Sequence, residues 1–257
     1  MKNKWEILQE KMSLKQYPLS AKYDIKWVVE NEMGPNVLWL MEFLTEKINF
    51  KRGMRVLDLG CGKVVSSIFL AKEFDVQIIA ADLWIDASEN MARIRKEKME
   101  TSVFPINAEA HNLPFADESF DVIVSADSYH YYGTSNLYLN IIQKFLKPSG
   151  QIGIVIPSIK NEFGSELPEK IKPFWDADMY CLHTTNWWKK LWNQNDKIFI
   201  EIADEMPEGY KNWLLWDKTL KEFGVLKRNG DVGLLEANEG FFTFSRIIGK
   251  KIKRKDR

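Results

Sequence analysis

Short apolar segments alternate with helical segments along residues 54–157, and this alternation restricts the fold more than any other feature of the sequence. Strands are predicted for MRVLDL, VQIIAADL, FDVIVSAD and QIGIVIP, because each is a short apolar run of the kind that is buried on both faces of a sheet. Helices are predicted between them for VSSIFLAKEF, IDASENMARIRKEK and NLYLNIIQKFL. Strands and helices that alternate at this spacing predict an α/β protein with a parallel sheet covered on both faces.

The alternation breaks after Pro157, where the chain becomes irregular and rich in tryptophan. Further elements are predicted there: a helix for TTNWWKKLWNQ, a strand for KIFIEIAD, a helix for PEGYKNWLLWDKTLKEFG and a last strand for EGFFTFSRIIGKK. Ahead of the core, NVLWLMEFLTEKI has the spacing of a helix with one buried face. The late tryptophans favour a well-filled second core, with a cap that stacks on an aromatic or cationic substrate as the alternative.

Composition disfavours several classes of protein. The chain has 36 Lys and Arg against 36 Asp and Glu, so it lacks the basic excess that most nucleic-acid-binding proteins show. Its 2 cysteines are too few for a disulfide framework, and no metal ligands stand at a recognisable spacing. No apolar run approaches the roughly 18 residues of a transmembrane helix, and the first residues lack a signal-peptide pattern. We therefore expect no membrane span and a cytoplasmic location.

The bend in RVLDLGCGKV, where a strand meets a helix, is the first candidate ligand site. Gly60 and Gly62 allow the backbone to turn sharply and to approach a ligand closely, at a strand end of the kind where open α/β sheets bind ligands. A dinucleotide loop would have glycine where this chain has Val65, so pyrophosphate binding is poorly supported. Asp58 is expected to face the cleft and to favour a positively charged group, while Asp82 suits the two hydroxyls of a ribose. The pattern predicts a nucleoside ligand without a pyrophosphate.

The segments VLDLGCGK, AADLW and AEAHNLPFADESFDVIVSADSYHYY together resemble the class I S-adenosylmethionine-dependent methyltransferases. The resemblance implies a Rossmann-like fold with a seven-stranded, mostly parallel sheet, helices on both faces and a helical, aromatic-rich cap. It also implies S-adenosylmethionine as cofactor and S-adenosylhomocysteine as product. The third glycine of the family loop aligns with Val64, which departs from the pattern. The implied cofactor-binding residues are Asp58, Gly60, Cys61 and Gly62 in the loop, Asp82 at the ribose, Leu83 and Trp84 beside the adenine ring, Glu109 and Ala110 at its amino edge, and Ser125 near the sulfonium.

The two ends of the chain resemble the small-molecule type-11 group of these enzymes, in NEMGPNVLWLMEFL and in the late aromatic-rich helices. In that group an N-terminal helix partly covers the cofactor. No linker divides the chain, so a single domain is predicted. Its expected divisions within 1–257 are a helical lid at 1–50, the cofactor-binding core at 51–157, a cap with the penultimate strand at 158–240, the last strand at 241–249 and a basic tail at 250–257.

The segment SYHYY after the fourth predicted strand holds the candidate catalytic residues. His130 is the candidate general base, because an imidazole titrates near neutral pH; the alternative is a histidine that only packs against the pocket. Tyr129 is the second candidate, and Tyr131 and Tyr132 beside it could line the pocket or position a substrate. Packing in the core is the alternative for at least one of these tyrosines. A base is needed only if the acceptor must lose a proton.

The resemblance implies transfer of a methyl group to a small-molecule acceptor, at oxygen, nitrogen or carbon, by in-line displacement. The alternatives are a non-catalytic module that binds S-adenosylmethionine or S-adenosylhomocysteine, a lipid-modifying enzyme similar to cyclopropane synthases, and an NAD-linked oxidoreductase. The acceptor and the oligomeric state do not follow from the sequence.

Overall fold

The computed structural model describes residues 2–164, 166–226, 230–237 and 240–253. The strands are β1 (Arg55–Leu59), β2 (Gln77–Asp82), β3 (Val103–Asn107), β4 (Phe120–Ala126), β5 (Leu146–Ile159), β6 (Ile198–Glu205) and β7 (Phe242–Lys251). They form one seven-stranded sheet in the order β3-β2-β1-β4-β5-β7-β6. Neighbours among β1 to β5 are parallel, and β7 runs antiparallel to β5 and β6. The mostly parallel sheet implied by the sequence is confirmed.

Helices pack on both faces of this sheet. The helices are α1 (Lys4–Met12), α2 (Ile25–Glu30), α3 (Val37–Thr45), α4 (Val65–Phe74), α5 (Ala87–Lys96), α6 (Tyr138–Ile142), α7 (Thr185–Trp192), α8 (Gly209–Glu222) and α9 (Val232–Ala237). Successive residues of β1 enter different cores, since Val56 packs with α3 and α4 whereas Leu57 packs with α6 and α7. Within the described ranges, none of these helices combines the length and apolar character needed to cross a membrane.

Several elements differ from the sequence-based prediction. The pattern did not reveal β3, which contains Pro105 and lies at the edge of the sheet, where proline is tolerated. The 14-residue strand β5 begins earlier than the predicted strand QIGIVIP and includes the segment KPSG before it. β7 ends at Lys251, where the predicted strand segment EGFFTFSRIIGKK also ends, so its last two residues fall within the division expected as a basic tail. Residues 254–257 of that tail lie outside the described residues.

The late tryptophans do not form a core of their own: Trp216 joins the core around α3 and α4, and Trp188 and Trp192 join the second core, around α6 and α7. Trp188 and Trp192 of α7 are fully buried, and each ring centroid lies 5.8 Å from that of Tyr129. Trp216 of α8 is also fully buried and meets Trp39 of α3 edge to face at 5.8 Å. The cap therefore packs on both faces of the sheet, and its residue Trp216 lies near the carboxyl ends of the parallel strands.

Helix α4 begins after a residue in the left-handed region of backbone conformation. Val64 has φ 59° and ψ 18°, and its side chain is fully buried. A β-branched residue rarely adopts this conformation, which costs roughly 1–2 kcal/mol relative to the right-handed form. Burial of the side chain offsets that cost, since a buried valine contributes about 1.5–3 kcal/mol. Val64, which aligns with the third glycine of the family loop, therefore has a backbone conformation that favours glycine.

We expect Val64→Gly to be more stable than Val64→Ala, by about 1 kcal/mol in the free energy of unfolding. Both variants lose the buried side chain, but only glycine adopts the left-handed backbone without strain. Urea denaturation followed by circular dichroism measures the difference. Ile68 in the interior of α4 is the matched control, because there alanine should be the more stable of the two by about 1 kcal/mol. If the glycine and alanine variants had the same order of stability at positions 64 and 68, the proposed backbone strain at Val64 would be contradicted.

Candidate active site

A pocket of about 350 Å³ opens at the carboxyl ends of β1, β2 and β4. The strand order reverses between β1 and β4, which is where open α/β sheets bind ligands. On the cap side, the indole N–H of Trp216 donates to the carbonyl of Gly34 at 3.1 Å, so α8 closes over the pocket. The lining comes from residues 31–37, 59–63, 81–84, 108–111 and 126–128, together with Val28, Val65, Ser66, Tyr131, Tyr132 and Trp216.

Both glycines of the bend have a backbone conformation that favours glycine and lie close to side chains from other walls of the pocket. Gly60 has φ 72° and Gly62 has φ 52°, a region that glycine adopts without strain. A Cβ at Gly60 would lie 1.9 Å from the Ser128 hydroxyl oxygen, and one at Gly62 would lie 2.8 Å from the Met33 sulfur. Cys61 between them also lines the pocket, and burial raises the pKa of its thiol. The bend therefore presents backbone, rather than side chains, to a ligand.

The carboxylate of Asp82 connects the loops that follow β1 and β2. Its Oδ2 accepts the backbone N–H of Gly62 at 2.8 Å, and its Oδ1 accepts those of Trp84 at 2.8 Å and Ile85 at 2.9 Å. Asp82 lines the pocket while most of its surface is buried. Since each carboxylate oxygen has two lone pairs, Oδ2 retains the capacity to accept a hydroxyl from a ligand. The predicted ribose-binding residue is therefore in the pocket.

Asp58 does not face the cleft as the sequence led us to expect. It is 1% exposed and lies beneath the bend, where its Oδ2 accepts the hydroxyls of Ser66 and Ser67 at 2.6 Å each. Burial raises the pKa of this carboxyl to about 6, against the opposing effect of the two hydroxyl donors. Its position in a strand buried on both faces explains the difference. Asp58 anchors the first turn of α4 rather than lining the pocket.

The predicted adenine contacts lie at the rim of the pocket. Leu83 and Trp84 are largely exposed, and the Trp84 ring lies 5.9 Å from that of Tyr131. Glu109 accepts the backbone N–H of His111 at 3.0 Å and contacts the His111 ring nitrogen at 2.7 Å, which holds the pKa of Glu109 below its usual range. Ala110 lines the pocket, with its carbonyl accepting the hydroxyl of Tyr138. These groups form a wall with one aromatic surface and one carboxylate.

The structure places His130 and Tyr129 outside the pocket. His130 is 2% exposed, and burial lowers its pKa to about 3, so the imidazole is neutral at physiological pH. Tyr129 is buried against Trp188 and Trp192 of the second core. The short helical turn Tyr129–Tyr131 directs these two side chains inward, and the expectation of an imidazole facing the cleft is corrected accordingly.

Tyr132 stands in the pocket and connects the ends of β1 and β4. Its hydroxyl donates to the carbonyl of Leu59 and accepts from the hydroxyl of Ser128, both at 3.3 Å. Ser125 contacts the same hydroxyl at 3.1 Å but is buried beneath Tyr132, so it does not line the pocket as expected. Ala126 ends β4 one residue later, and Ser128 then takes the predicted place of Ser125 at the wall.

Three pocket features were missed by sequence reasoning. Asp127 follows β4 directly and lines the pocket with φ 52°, and Ser128 packs against the glycine bend. The signal was the polar segment ADS at the carboxyl end of a buried strand. The third feature is Trp216, and no local pattern distinguishes it from the other buried tryptophans.

Comparison with known proteins agrees with this geometry. Residues 50–208 match the family described as "Methyltransferase domain". Phosphoethanolamine N-methyltransferase 1 of Arabidopsis thaliana is 34% identical over 110 residues, which cover 42% of this chain and 22% of that protein. Demethylmenaquinone methyltransferase of Listeria monocytogenes is 29% identical over 223 residues, covering 83% of this chain and 79% of that protein.

A solved structure shares the fold over nearly the whole chain. Phosphoethanolamine N-methyltransferase 2 of Haemonchus contortus, in complex with S-adenosyl-L-methionine, superposes with a TM-score of 0.72 at 20% identity, covering 98% of this chain and 61% of that one. The chain spans 22% and 28% of the length of the first two curated relatives. The family match covers more than half of the chain and includes the glycine bend, Asp82 and the end of β4. The chain therefore belongs to the methyltransferase-domain family, and its resemblance to the class I enzymes is confirmed.

Proposed function

We propose that this chain is an S-adenosylmethionine-dependent methyltransferase that acts on a small molecule. The observation that carries the proposal is the connection of the glycine bend to Asp82 at the point where the strand order reverses. Family membership and the relatives that bear methyltransferase names support it. A cytoplasmic location, a preference for a small molecule over nucleic acid and the predicted divisions of the domain stay predictions from the sequence.

The residues of the pocket fit S-adenosylmethionine. The bend carries no side chain at Gly60 or Gly62, so its backbone can come close to the methionine end of the cofactor. Asp82 has acceptor capacity left for a ribose hydroxyl, and the exposed Trp84 ring offers a surface for the adenine. Glu109 can accept from the adenine amino group, as the family resemblance implies. Asp58 would act indirectly, through the position of the bend.

When bound, this cofactor supplies a methyl group that an acceptor lone pair can take while sulfur keeps the electrons of the broken carbon–sulfur bond. The protein holds the reactants in line and excludes water, and alignment of this kind reaches effective molarities on the order of 10⁵ M or more. Trp216, tied to Gly34, closes the cap side of the pocket. His130 lies outside the pocket, so it is not placed to accept a proton from an acceptor bound there.

The competing function is a module that binds the cofactor without transferring its methyl group. Incubation with S-adenosylmethionine and a panel of small amines, alcohols, thiols and acids separates the two. Formation of S-adenosylhomocysteine that depends on an acceptor supports the enzyme. Binding of the cofactor with no turnover on any member of the panel would favour the module.

Asp82→Ala should weaken S-adenosylhomocysteine binding about 100-fold or more, because each hydrogen bond to a charged group contributes roughly 1.5–3 kcal/mol. Isothermal titration calorimetry measures the change, and NAD should not bind either protein. Asp117→Ala removes the same charge at an exposed position outside the pocket and serves as the control. Unchanged affinity in Asp82→Ala would show that the cofactor binds elsewhere.

Tyr132→Phe should weaken S-adenosylhomocysteine binding about 5- to 10-fold, since it removes the hydroxyl that joins β1 to β4 and a net hydrogen bond contributes about 1 kcal/mol. The ring and its packing remain. The exposed Tyr180→Phe is the matched control and should bind as the wild type does. Equal affinities for all three proteins would exclude a role for this hydroxyl in positioning the bend.

A further inference from the structure

The edge of the sheet formed by β6 carries an exposed surface of apolar and basic side chains. Phe199 of β6 lies directly opposite Lys250 of β7. Just beyond the two strands, the N–H of Ile252 donates to the carbonyl of Lys197 at 2.9 Å. Residues that are paired across an antiparallel sheet, or that stand two apart along a strand, project from the same face. Lys197, Phe199, Lys250 and Ile252 therefore share one face, and we call these four residues the β6–β7 surface.

The opposite face of the same two strands is packed, and this fixes the direction of the β6–β7 surface. Ile198 is buried in the second core, and a Cβ at Gly249 would meet the Ile198 side chain. The neighbours of these residues along the chain point away from that core. Phe199 is 64% exposed and Ile252 is 53% exposed. Two large apolar side chains thus stand in solvent, each opposite a lysine.

The chain around this surface is rich in basic residues. The segment KKIKRKDR at 250–257 has six basic residues and one acidic residue, in a chain whose total formal charge is zero. Its described lysine Lys253 is exposed, as is Lys197 on the β6 side. Glu201 lies 3.9 Å from Lys250 and offsets the charge of that lysine. The positive charge of this edge therefore depends on Lys197 and on the segment that begins at Lys253.

The β6–β7 surface and the pocket lie at opposite ends of the sheet. Lys250 pairs with Gln151 of β5, which in turn lies opposite Val122 near the start of β4. The pocket opens at the carboxyl ends of β1, β2 and β4. A partner bound to the β6–β7 surface would therefore leave the mouth of the pocket open.

We propose that the β6–β7 surface docks the protein onto a membrane that contains anionic lipids. Lysines beside such a membrane are attracted by its negative potential, while exposed aromatic and aliphatic side chains insert at the level of the headgroups. One such signal alone gives only marginal binding, and this surface combines both. Nucleic acid would engage the lysines but not the two apolar side chains, because its backbone offers phosphates. This inference concerns where the protein is held and does not depend on the reaction in the pocket.

Co-sedimentation of the full chain with lipid vesicles tests the docking. Vesicles of phosphatidylcholine mixed with phosphatidylglycerol are compared with vesicles of phosphatidylcholine alone. We expect binding to the mixed vesicles to be at least about tenfold stronger, and to weaken as salt is added, because salt screens the attraction. Equal binding to the two kinds of vesicle, or binding to neither, would overturn the proposal.

Phe199→Ser should weaken binding to the mixed vesicles about tenfold, because it removes the largest apolar side chain that can insert. Phe104→Ser is the matched control, since Phe104 is an exposed phenylalanine of β3 at the other edge of the sheet, and it should bind as the wild type does. Thermal unfolding followed by circular dichroism checks that both variants fold. An equal effect of the two substitutions would contradict insertion at Phe199.

The double variant Lys197→Gln, Lys253→Gln should weaken binding to the mixed vesicles about tenfold or more, because each lysine near an anionic membrane contributes roughly a factor of five. The double variant Lys15→Gln, Lys170→Gln makes the same change of charge at exposed positions outside this surface and should bind as the wild type does. An equal loss in both double variants would show that total charge drives the binding, and it would overturn the assignment to this surface.

Two other occupants of this face give different results. Light scattering after size-exclusion chromatography measures the oligomeric state, and a dimer that Phe199→Ser converts into a monomer would make the face an interface between two copies of the chain. A DNA duplex that displaces the wild type from the mixed vesicles and binds Phe199→Ser equally well would make it a nucleic-acid site. Either result would overturn membrane docking. A monomer that stays on the mixed vesicles in the presence of the duplex supports it.

Discussion

The carboxylate of Asp82 is the interaction on which the pocket depends. It accepts three backbone N–H groups from the loops after β1 and β2, so one buried charge fixes both loops at the same time. Hydrogen bonds between a carboxylate and backbone N–H groups are strong, and they compensate the carboxylate for lost hydration. The other walls take their positions from these loops: Ser128 packs against Gly60, and Met33 packs against Gly62.

Glycine contacts assemble the pocket from segments that are distant in sequence. At Gly34, Gly60 and Gly62, the space that a Cβ would occupy is taken by Asp127, Ser128 and Met33, respectively. Each contact brings a backbone within reach of a side chain from another segment. The end of β4 is tied to the end of β1 a second time by the hydroxyl of Tyr132. These contacts join three segments that are distant in sequence, residues 33–34, 59–62 and 127–132.

The alternation of apolar runs predicted the sheet well, because strands buried on both faces leave a strong and local signal. It missed β3, an edge strand with a proline, whose pattern is weak for physical reasons. The positions of Asp82 and the glycines in the pocket were predicted because backbone geometry at strand ends sets them. Side-chain direction was not predictable in the same way. Neighbouring residues of a strand point to opposite faces, so an error of one residue assigns a side chain to the wrong face. Asp58 and Ser125 lie beneath the pocket for this reason, and a short helical turn directs His130 inward.

The pocket residues that could be predicted from the sequence and those that could not belong to different kinds of segment. The glycine bend and Asp82 lie in strand-end loops held by main-chain hydrogen bonds, so their signature is short and contiguous in sequence. Asp127, Tyr131 and Trp216 line the same pocket but come from the end of β4, the turn after it and the cap. Their meeting depends on how α8 packs over Gly34, and no local pattern encodes that contact.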